Sequence, residues 1–420
     1  MSKIKDLLYF PIAYYFKFWA QIQLFLWKPR IVAVTGSSGK TTLLHLIQAQ
    51  LGNKAKYSHH ANSSYGIPFD ILGLSRKNLT LDEWPYLFLL APLKAFKKVP
   101  QEKIYIVEAD CDRPGEGKFL ASLLRPEITL WINVSLTHSA NFDHLALQDQ
   151  VLEAQEAIAN EFGYFPQYTK KLVIANGDSP LIAKQLKRTK ATIEQIIEKS
   201  LNDYKLFADR TEFYIDKEKY SINYIVPKDV FYSIAMTKLL METLDISFNP
   251  SFPNLFLPPG RSSIFKGIKN TILIDSTYNS TPVATRLMLD LFNLYPAENK
   301  WIVLGDMIEL GNEEQREHEK LADLINSMTL DKIILIGPRV SRYTYPKLNS
   351  KIIQKAEKFI MPKEGSDHIL KHIKGDEVMF FKGARFLEGI VEHLLKNKDD
   401  AKKLVRREKA WQNRRKAWGL

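Results

Sequence analysis

The chain has 420 residues, a hydrophobic share of 45% and a formal charge of +12. That length and apolar content exclude a disordered chain and leave room for two or three domains. A single cysteine, Cys111, excludes a disulfide scaffold and a cysteine zinc site and fits a reducing compartment. The positive charge suits phosphate-rich ligands, an anionic membrane surface or nucleic acid, and does not choose among them.

From Leu7 to Trp27 the only clearly polar side chains are Lys17, Gln21 and Gln23, and aromatics are dense. Tyr14, Lys17, Gln21 and Lys28 fall at helical spacing, which predicts a helix with one narrow polar stripe. No small-residue cleavage site marks a signal peptide. Pro11 and Lys17 speak against a plain transmembrane span. Two readings remain: an interfacial anchor with Lys3, Lys5, Lys28 and Arg30 at its ends, or a helix packed on the protein's own core.

Residues 31–34 are β-branched or small and read as a buried strand. Gly36-Ser37-Ser38-Gly39 then makes a turn, and Lys40-Thr41-Thr42 opens a helical pattern over residues 43–51. Strand, glycine turn and helix N-terminus form a phosphate-binding loop. Its backbone N–H groups face phosphates, Lys40 neutralises them, and the Thr41 hydroxyl suits Mg²⁺. A glycine usual at the loop's start is Val34 here, so this is the shortened form.

Residues 58–68 read as a polar loop, in which His59 and His60 receive no role. Buried strands follow at 104–109, with Glu108 near its end, at 128–134, with His138 just beyond, and at 172–176. Residues 205–225 alternate like a small antiparallel patch, and 229–245 read as a helix. Prolines cluster near 253–260, and strand-like runs recur at 271–275, 301–305, 332–337 and 377–381. The pattern predicts an α/β protein: an aromatic helix (1–29), a central P-loop domain with a mostly parallel sheet (30–252), a C-terminal Rossmann-like α/β domain (253–397) and a basic tail (398–420). In the tail Leu404, Trp411 and Trp418 recur every seven residues, near one helical face. Such a segment lies on an anionic membrane, binds nucleic acid, or docks through its tryptophans.

The ordered motifs T-G-S-S-G-K-T-T (35–42), N-S-S-Y-G-I-P (62–68), E-A-D (108–110), P-G-E (114–116), N-V-S-L-T-H (133–138) and N-G-D (176–178) carry a resemblance. P-G-R (259–261), D-S-T-Y-N-S-T-P (275–282), G-D-M-I-E-L-G (305–311) and K-G-A-R (382–385) complete it. Over residues 31–395 the chain resembles the Mur ligase superfamily, the ATP-dependent amide ligases of cell-wall peptide assembly, and most of all its MurF-like members. The resemblance implies phosphoryl transfer from ATP to a substrate carboxylate, then attack of an amine on the acyl phosphate.

In that reading Lys40 bridges the β- and γ-phosphates, Thr41 and Glu108 ligate one Mg²⁺, and His138 holds a second. Gly36, Ser37, Ser38, Gly39 and Thr42 cradle ATP, and Asn62, Ser63 and Ser64 lie near substrate and phosphate. Arg261 reaches ATP phosphate when the domains close, and Asp275, Tyr278 and Asn279 contact the nucleotide. Lys382 and Arg385 meet the incoming amino acid's carboxylate, while Asp306, Glu309 and His318 match motif positions without a distinct role.

Three departures are expected to matter. The family's amino-terminal domain, which holds the UDP-sugar end of the substrate, is absent, and the aromatic helix stands in its place. The position of the family's carbamylated lysine is Gln155, so either Glu153 or Glu156 supplies a carboxylate instead or the second metal binds more weakly. The family's His-Asn pair before the middle-domain helix is lost around Lys228-Asp229-Val230. The expected partners are a peptide or muropeptide carboxylate, an amino acid or dipeptide, and an anionic membrane surface, with no nucleic acid. The expected place is the cytoplasm, peripheral on the inner face of the plasma membrane. A poly-γ-glutamate type ligase and a non-catalytic ATP-binding homologue are the alternatives.

Overall fold

The computed structural model describes residues 2–59, 61–76, 82–97, 99–143, 153–383 and 386–420. The chain forms two compact units, residues 1–200 with 231–255, and residues 201–230 with 256–420.

In the first unit six parallel strands stand in the order β2-β3-β1-β4-β5-β6. They are β1 (Arg30–Thr35), β2 (Ala55–Tyr57), β3 (Ile104–Ala109), β4 (Ile128–Trp131), β5 (Leu172–Asn176) and β6 (Thr192–Ile196). The sequence shows the four inner strands, because strands buried on both faces are continuous apolar runs. It does not show β2 and β6, which are short edge strands with little apolar content. Successive side chains point to opposite faces. Val32, Val34 and Ile106 pack with α2 (Lys40–Leu51) and helix Val230–Thr243, whereas Ile31, Ala33, Tyr105 and Val107 face the other core.

That other core includes α1 (Ser2–Trp27), α3 (Gly66–Leu72), α4 (Glu83–Ala95) and α5 (Glu116–Leu124). Of the expected polar stripe of α1, Tyr14, Gln21 and Lys28 are exposed but Lys17 is not. Ala13, Phe16, Ala20 and Trp27 are buried, and Lys17 is buried with them. The Lys17 ammonium donates to Phe119 O (2.8 Å) and Ser122 Oγ (2.5 Å). Burial, aided by Arg125, pulls it down to about 8. Helical spacing located the polar residues but not which way they turn.

The second unit holds a six-stranded sheet, β10-β11-β15-β12-β13-β14, in which only the β10–β11 pair is antiparallel. Its strands are β10 (Ser263–Lys266), β11 (Ile272–Asp275), β12 (Lys300–Gly305), β13 (Lys332–Ile336), β14 (Ala356–Phe359) and β15 (Val378–Lys382). The antiparallel patch is real, as β7 (Leu201–Leu206), β8 (Thr211–Ile215) and β9 (Glu218–Ile222). Its contacts group it with the second unit, since Ile225 and Leu206 pack in that core.

The tail is not one amphipathic helix. A 3-10 segment (Lys398–Lys403) and a helix (Lys409–Ala417) are separated by a bend where Arg406 has φ 57°. Leu404 sits in the unit's core, and Trp411 and Trp418 pack on Phe386 at ring distances of 6.0 and 6.3 Å. Of the tail's readings, docking through the tryptophans is the one the packing shows.

Candidate active site

The loop after β1 is shaped by its glycines and by residues 133–135. Gly36 has φ 132°, and a Cβ there would lie 2.9 Å from Asn133 O. Ser37 N donates to Asn133 O (3.2 Å) and Ser38 N to Asn133 Oδ1 (2.9 Å), while Asn133 Nδ2 donates to Ser38 O (3.1 Å). Ser37 Oγ donates to Ser135 O (2.9 Å) and accepts from Ser135 N (2.8 Å). The Ser37 and Ser38 amides thus brace the loop. The N–H groups at the start of α2, from Lys40, Thr41 and Thr42, are those a helix leaves for an anion.

Lys40 is buried, with its ammonium 2.8 Å from Asp110 Oδ2 and 2.6 Å from Gly36 O. Burial pushes the ammonium down, but Asp110 and Glu108 outweigh it and hold it above the ordinary lysine value. Glu108, paired across the sheet with Val34, accepts from Thr41 Oγ1 at 3.0 and 3.2 Å. Lys40, Thr41 and Glu108 therefore meet, as the sequence predicts.

His138, at φ 52°, places Nε2 3.3 Å from Asp112 Oδ1. Donor atoms of Asp110, Asp112 and His138 all lie within 4.8 Å of one another. Burial and the Asp110 carboxylate push the Asp112 carboxyl up to about 6, against His138 and Lys40. Asp110 and Asp112 are missing from the site read in the sequence. Their signal was the alternation E-A-D-C-D over 108–112, which carries two more carboxylates out of the strand end beside Glu108. Neither Glu153 nor Glu156 belongs to the group formed by Asp110, Asp112 and His138. Glu156 is ion-paired with Lys184 (3.2 Å), and Glu153 is an exposed helix cap. The Gln155 amide donates to Val134 O (3.2 Å), which ties its helix to the loop before His138.

Asn62, Ser63 and Ser64 form a turn beside these acids. Asp110 N donates to Asn62 O (2.9 Å), and Ser63 Oγ accepts from Gly66 N (3.2 Å). Ser64 N donates to the fully buried Glu116, which also accepts from Asp112 N and from Tyr9 of α1. The sequence reading of P-G-E as a motif is explained by this hub. His59 stacks near Tyr57 and His45, and His60 lies outside the described residues.

In the second unit Gly260 has φ 70°, and a Cβ there would meet Tyr278 N at 2.9 Å. The Arg261 guanidinium lies 4.4 Å over the Tyr278 ring. Asp275, fully buried, accepts from Thr277 N (3.0 Å) and Thr277 Oγ1 (2.6 Å), so its side chain builds the turn. Tyr278 and Asn279 project from that turn and are exposed. Lys382 is buried at the end of β15 and donates to Asn279 O (2.9 Å). Arg385 lies outside the described residues. Asp306 accepts from Arg339 N and Val340 N, and His318 bonds Met307 N and Glu314 O, so both hold backbone.

Arg406 of the tail donates to Thr277 O (3.1 Å), Tyr278 O (2.9 Å) and the buried Glu388 (3.2 Å). Removing it loosens the turn and strands a carboxylate. Arg406→Ala is expected to destabilise the protein by ~2 kcal/mol in thermal unfolding, with Arg406→Lys recovering part, since a lysine lacks the fork.

A phosphate loop at the carboxyl ends of parallel strands, with acids and a histidine converging on it, defines a nucleotide-using α/β enzyme. Comparison with known proteins narrows this. The family model for the Mur ligase middle domain matches residues 34–239, including β7–β9, and the model for the Mur ligase glutamate ligase domain matches 260–385. UDP-N-acetylmuramoyl-tripeptide–D-alanyl-D-alanine ligase of Rickettsia prowazekii is 26% identical over 85% of this chain and 76% of its own length. The enzyme of the same name from Bacillus subtilis is 22% identical over 88% of this chain and 76% of its own. Among solved structures, MurF ligase from Thermotoga maritima in complex with ADP shares the fold with a TM-score of 0.71, at 22% identity over 90% of this chain and 82% of that one. The chain belongs to the Mur ligase family and is an ATP-dependent acid–amino acid ligase.

Proposed function

We propose that this chain forms an amide bond in cell-wall peptide assembly, between the carboxylate of a peptide or muropeptide and the amine of an amino acid or dipeptide. The observation that carries the reading is the meeting of Lys40, Thr41 and Glu108 at the phosphate loop with Asp110, Asp112 and His138 beside it. The γ-phosphoryl group moves to the acceptor carboxylate and ADP leaves. The amine then attacks the acyl carbon, the C–O bond to phosphate breaks, and the amine loses a proton. Little covalent chemistry falls to the protein, so its work is positioning and charge. Lys40 gives the phosphates a charged partner, the α2 N-terminus orients them, and the 62–64 turn presents the acceptor. Tyr278, Asn279 and Arg261 serve the nucleotide, and Lys382 and Arg385 the amine's carboxylate.

The oxygen-rich donor set suits Mg²⁺. Thr41 and Glu108 would hold one ion, and Asp112 with His138, joined by Asp110, a second. Such ions draw charge from the γ-phosphate so that two anions can approach. His138→Ala and Asp112→Asn are each expected to raise the Mg²⁺ needed for half-maximal phosphate release by about tenfold or more, while Gln155→Ala shifts it by less than about twofold.

The reading is tested by incubating the protein with ATP, Mg²⁺, muropeptide acceptors and D-alanyl-D-alanine. Phosphate release that needs both acceptor and amine is the expected result. Gln155, which cannot carry a carbamate, favours one other reading, a silent ATP-binding homologue. ADP binding without turnover under any pairing would establish that instead.

A further inference from the structure

Ten of the nineteen large hydrophobic side chains exposed among the described residues come from α1 and α4 with its cap Phe96. On α1, Leu7, Tyr14, Phe18 and Phe25 form one stripe, exposed by 75, 54, 55 and 73%. Their spacing of seven, four and seven residues follows one side of a helix. On α4, Tyr86, Leu89, Leu93 and Phe96 form a second stripe. Trp19 joins the two, with ring distances of 5.0 Å to Phe18 and 6.3 Å to Phe96. An apolar patch spread along two packed helices exceeds what scattered surface residues make.

Lysines flank the patch at the C-terminal ends of the two helices. The Lys28 ammonium lies 5.6 Å from the Phe25 ring, and Lys94 and Lys97 close α4 next to Leu93 and Phe96. Residues 7–27 hold no acidic side chain; at the other end of α4 the exposed Asp82 lies one turn before Tyr86, and Glu83 is paired with Arg76. Lysine is depleted in protein interfaces, whereas lysines flanking exposed aromatics match a surface of lipid phosphates. No helix among the described residues is long and apolar enough to cross a membrane. The opposite side of α1 is built into the core through Phe16, Ala20, Trp27 and the anchored Lys17, so the helix cannot leave to span one.

We infer that the α1–α4 face docks this chain on the surface of an anionic lipid bilayer. The aromatic and aliphatic side chains enter the boundary between headgroups and acyl chains, and Lys28, Lys94 and Lys97 meet the phosphates. Because Tyr9 of the same helix donates to Glu116, which holds the 62–64 turn, docking keeps the proposed acceptor turn on the helix that touches lipid.

The test is sedimentation of the full chain with phosphatidylcholine vesicles and with vesicles containing about 30% phosphatidylglycerol. The expected result is binding to the anionic vesicles. The triple variant Phe18→Ser, Leu89→Ser, Leu93→Ser should weaken it more than about tenfold, and Lys94→Glu with Lys97→Glu should remove the preference for anionic lipid. The triple variant should unfold within about 2 °C of the parent, since its changed side chains are exposed; the lysine variant also loses the bond from the half-buried Lys94 to Gly73 O (3.3 Å), so its thermal unfolding is measured beside the lipid preference. Absence of binding by the parent chain would overturn the inference, as would binding unchanged in the triple variant. So would a dimer in light scattering that the triple variant splits, because the patch would then be covered by a second copy.

Discussion

Lys40→Met is expected to lower ATP-dependent phosphate release by at least about a thousandfold, with ADP affinity falling far less. The ammonium is aimed at the charge that develops on the transferring phosphoryl group, and a thioether carries none. The same change leaves Asp110, buried beside it, without its cation. Breaking one side of a buried ion pair typically destabilises by ~3 kcal/mol, so the variant should also unfold earlier. Adding Asp110→Asn should restore stability and leave activity lost. Thermal unfolding and single-turnover phosphate release separate the two effects. Activity regained in the double variant would show that Lys40 serves the fold alone.

Lys382 is the second position where a large effect is expected. Burial, then Arg261, pushes its ammonium down to about 7, against the pull of Asp275. In the unfolded chain the lysine titrates near ~10.5. The folded chain therefore binds fewer protons between these values, and this group's contribution to stability rises with pH from about 7 to ~10.5. Lys382→Met removes the penalty. At pH 7 it should stabilise the protein by on the order of 2 kcal/mol after loss of the bond to Asn279 O, with the gain vanishing near pH ~10.5. If the ammonium binds the amine substrate's carboxylate, KM for that substrate rises at least about tenfold in the variant while ADP affinity stays within about twofold. In the parent chain the same KM should fall as pH drops from about 8 to about 6. Equal pH profiles for stability in the two proteins would refute a neutral buried lysine.

The phosphate loop was legible in the sequence because its cause is local. A buried strand, glycines at positive φ and a helix N-terminus follow one another within a dozen residues, and Gly36 and Gly39 adopt the conformations that pattern requires. Glu108 and His138 were legible as polar residues at strand ends. Asp112 was not, because its value as a neighbour of His138 arises from the loops after β3 and β4, the two strands that flank β1, whose approach no local pattern records. The edge strands β2, β6 and β14 were missed for a related reason: an edge needs only one partner and little apolar surface. The grouping of β7–β9 with the second unit rests on long-range packing of Ile225 and Leu206, which neighbouring residues do not announce.

The aromatic helix shows where the line falls. The sequence by itself determined that residues 2–27 form a helix with many aromatics and a few polar side chains, since spacing and composition suffice for that. Only the tertiary structure decided that Lys17 and Gln23 turn inward and that Leu7, Phe18 and Phe25 turn out. A helix alone has no inside. Its buried side is chosen by what α3, α4 and α5 offer, and here α5 offers Lys17 a carbonyl and a hydroxyl to receive its ammonium.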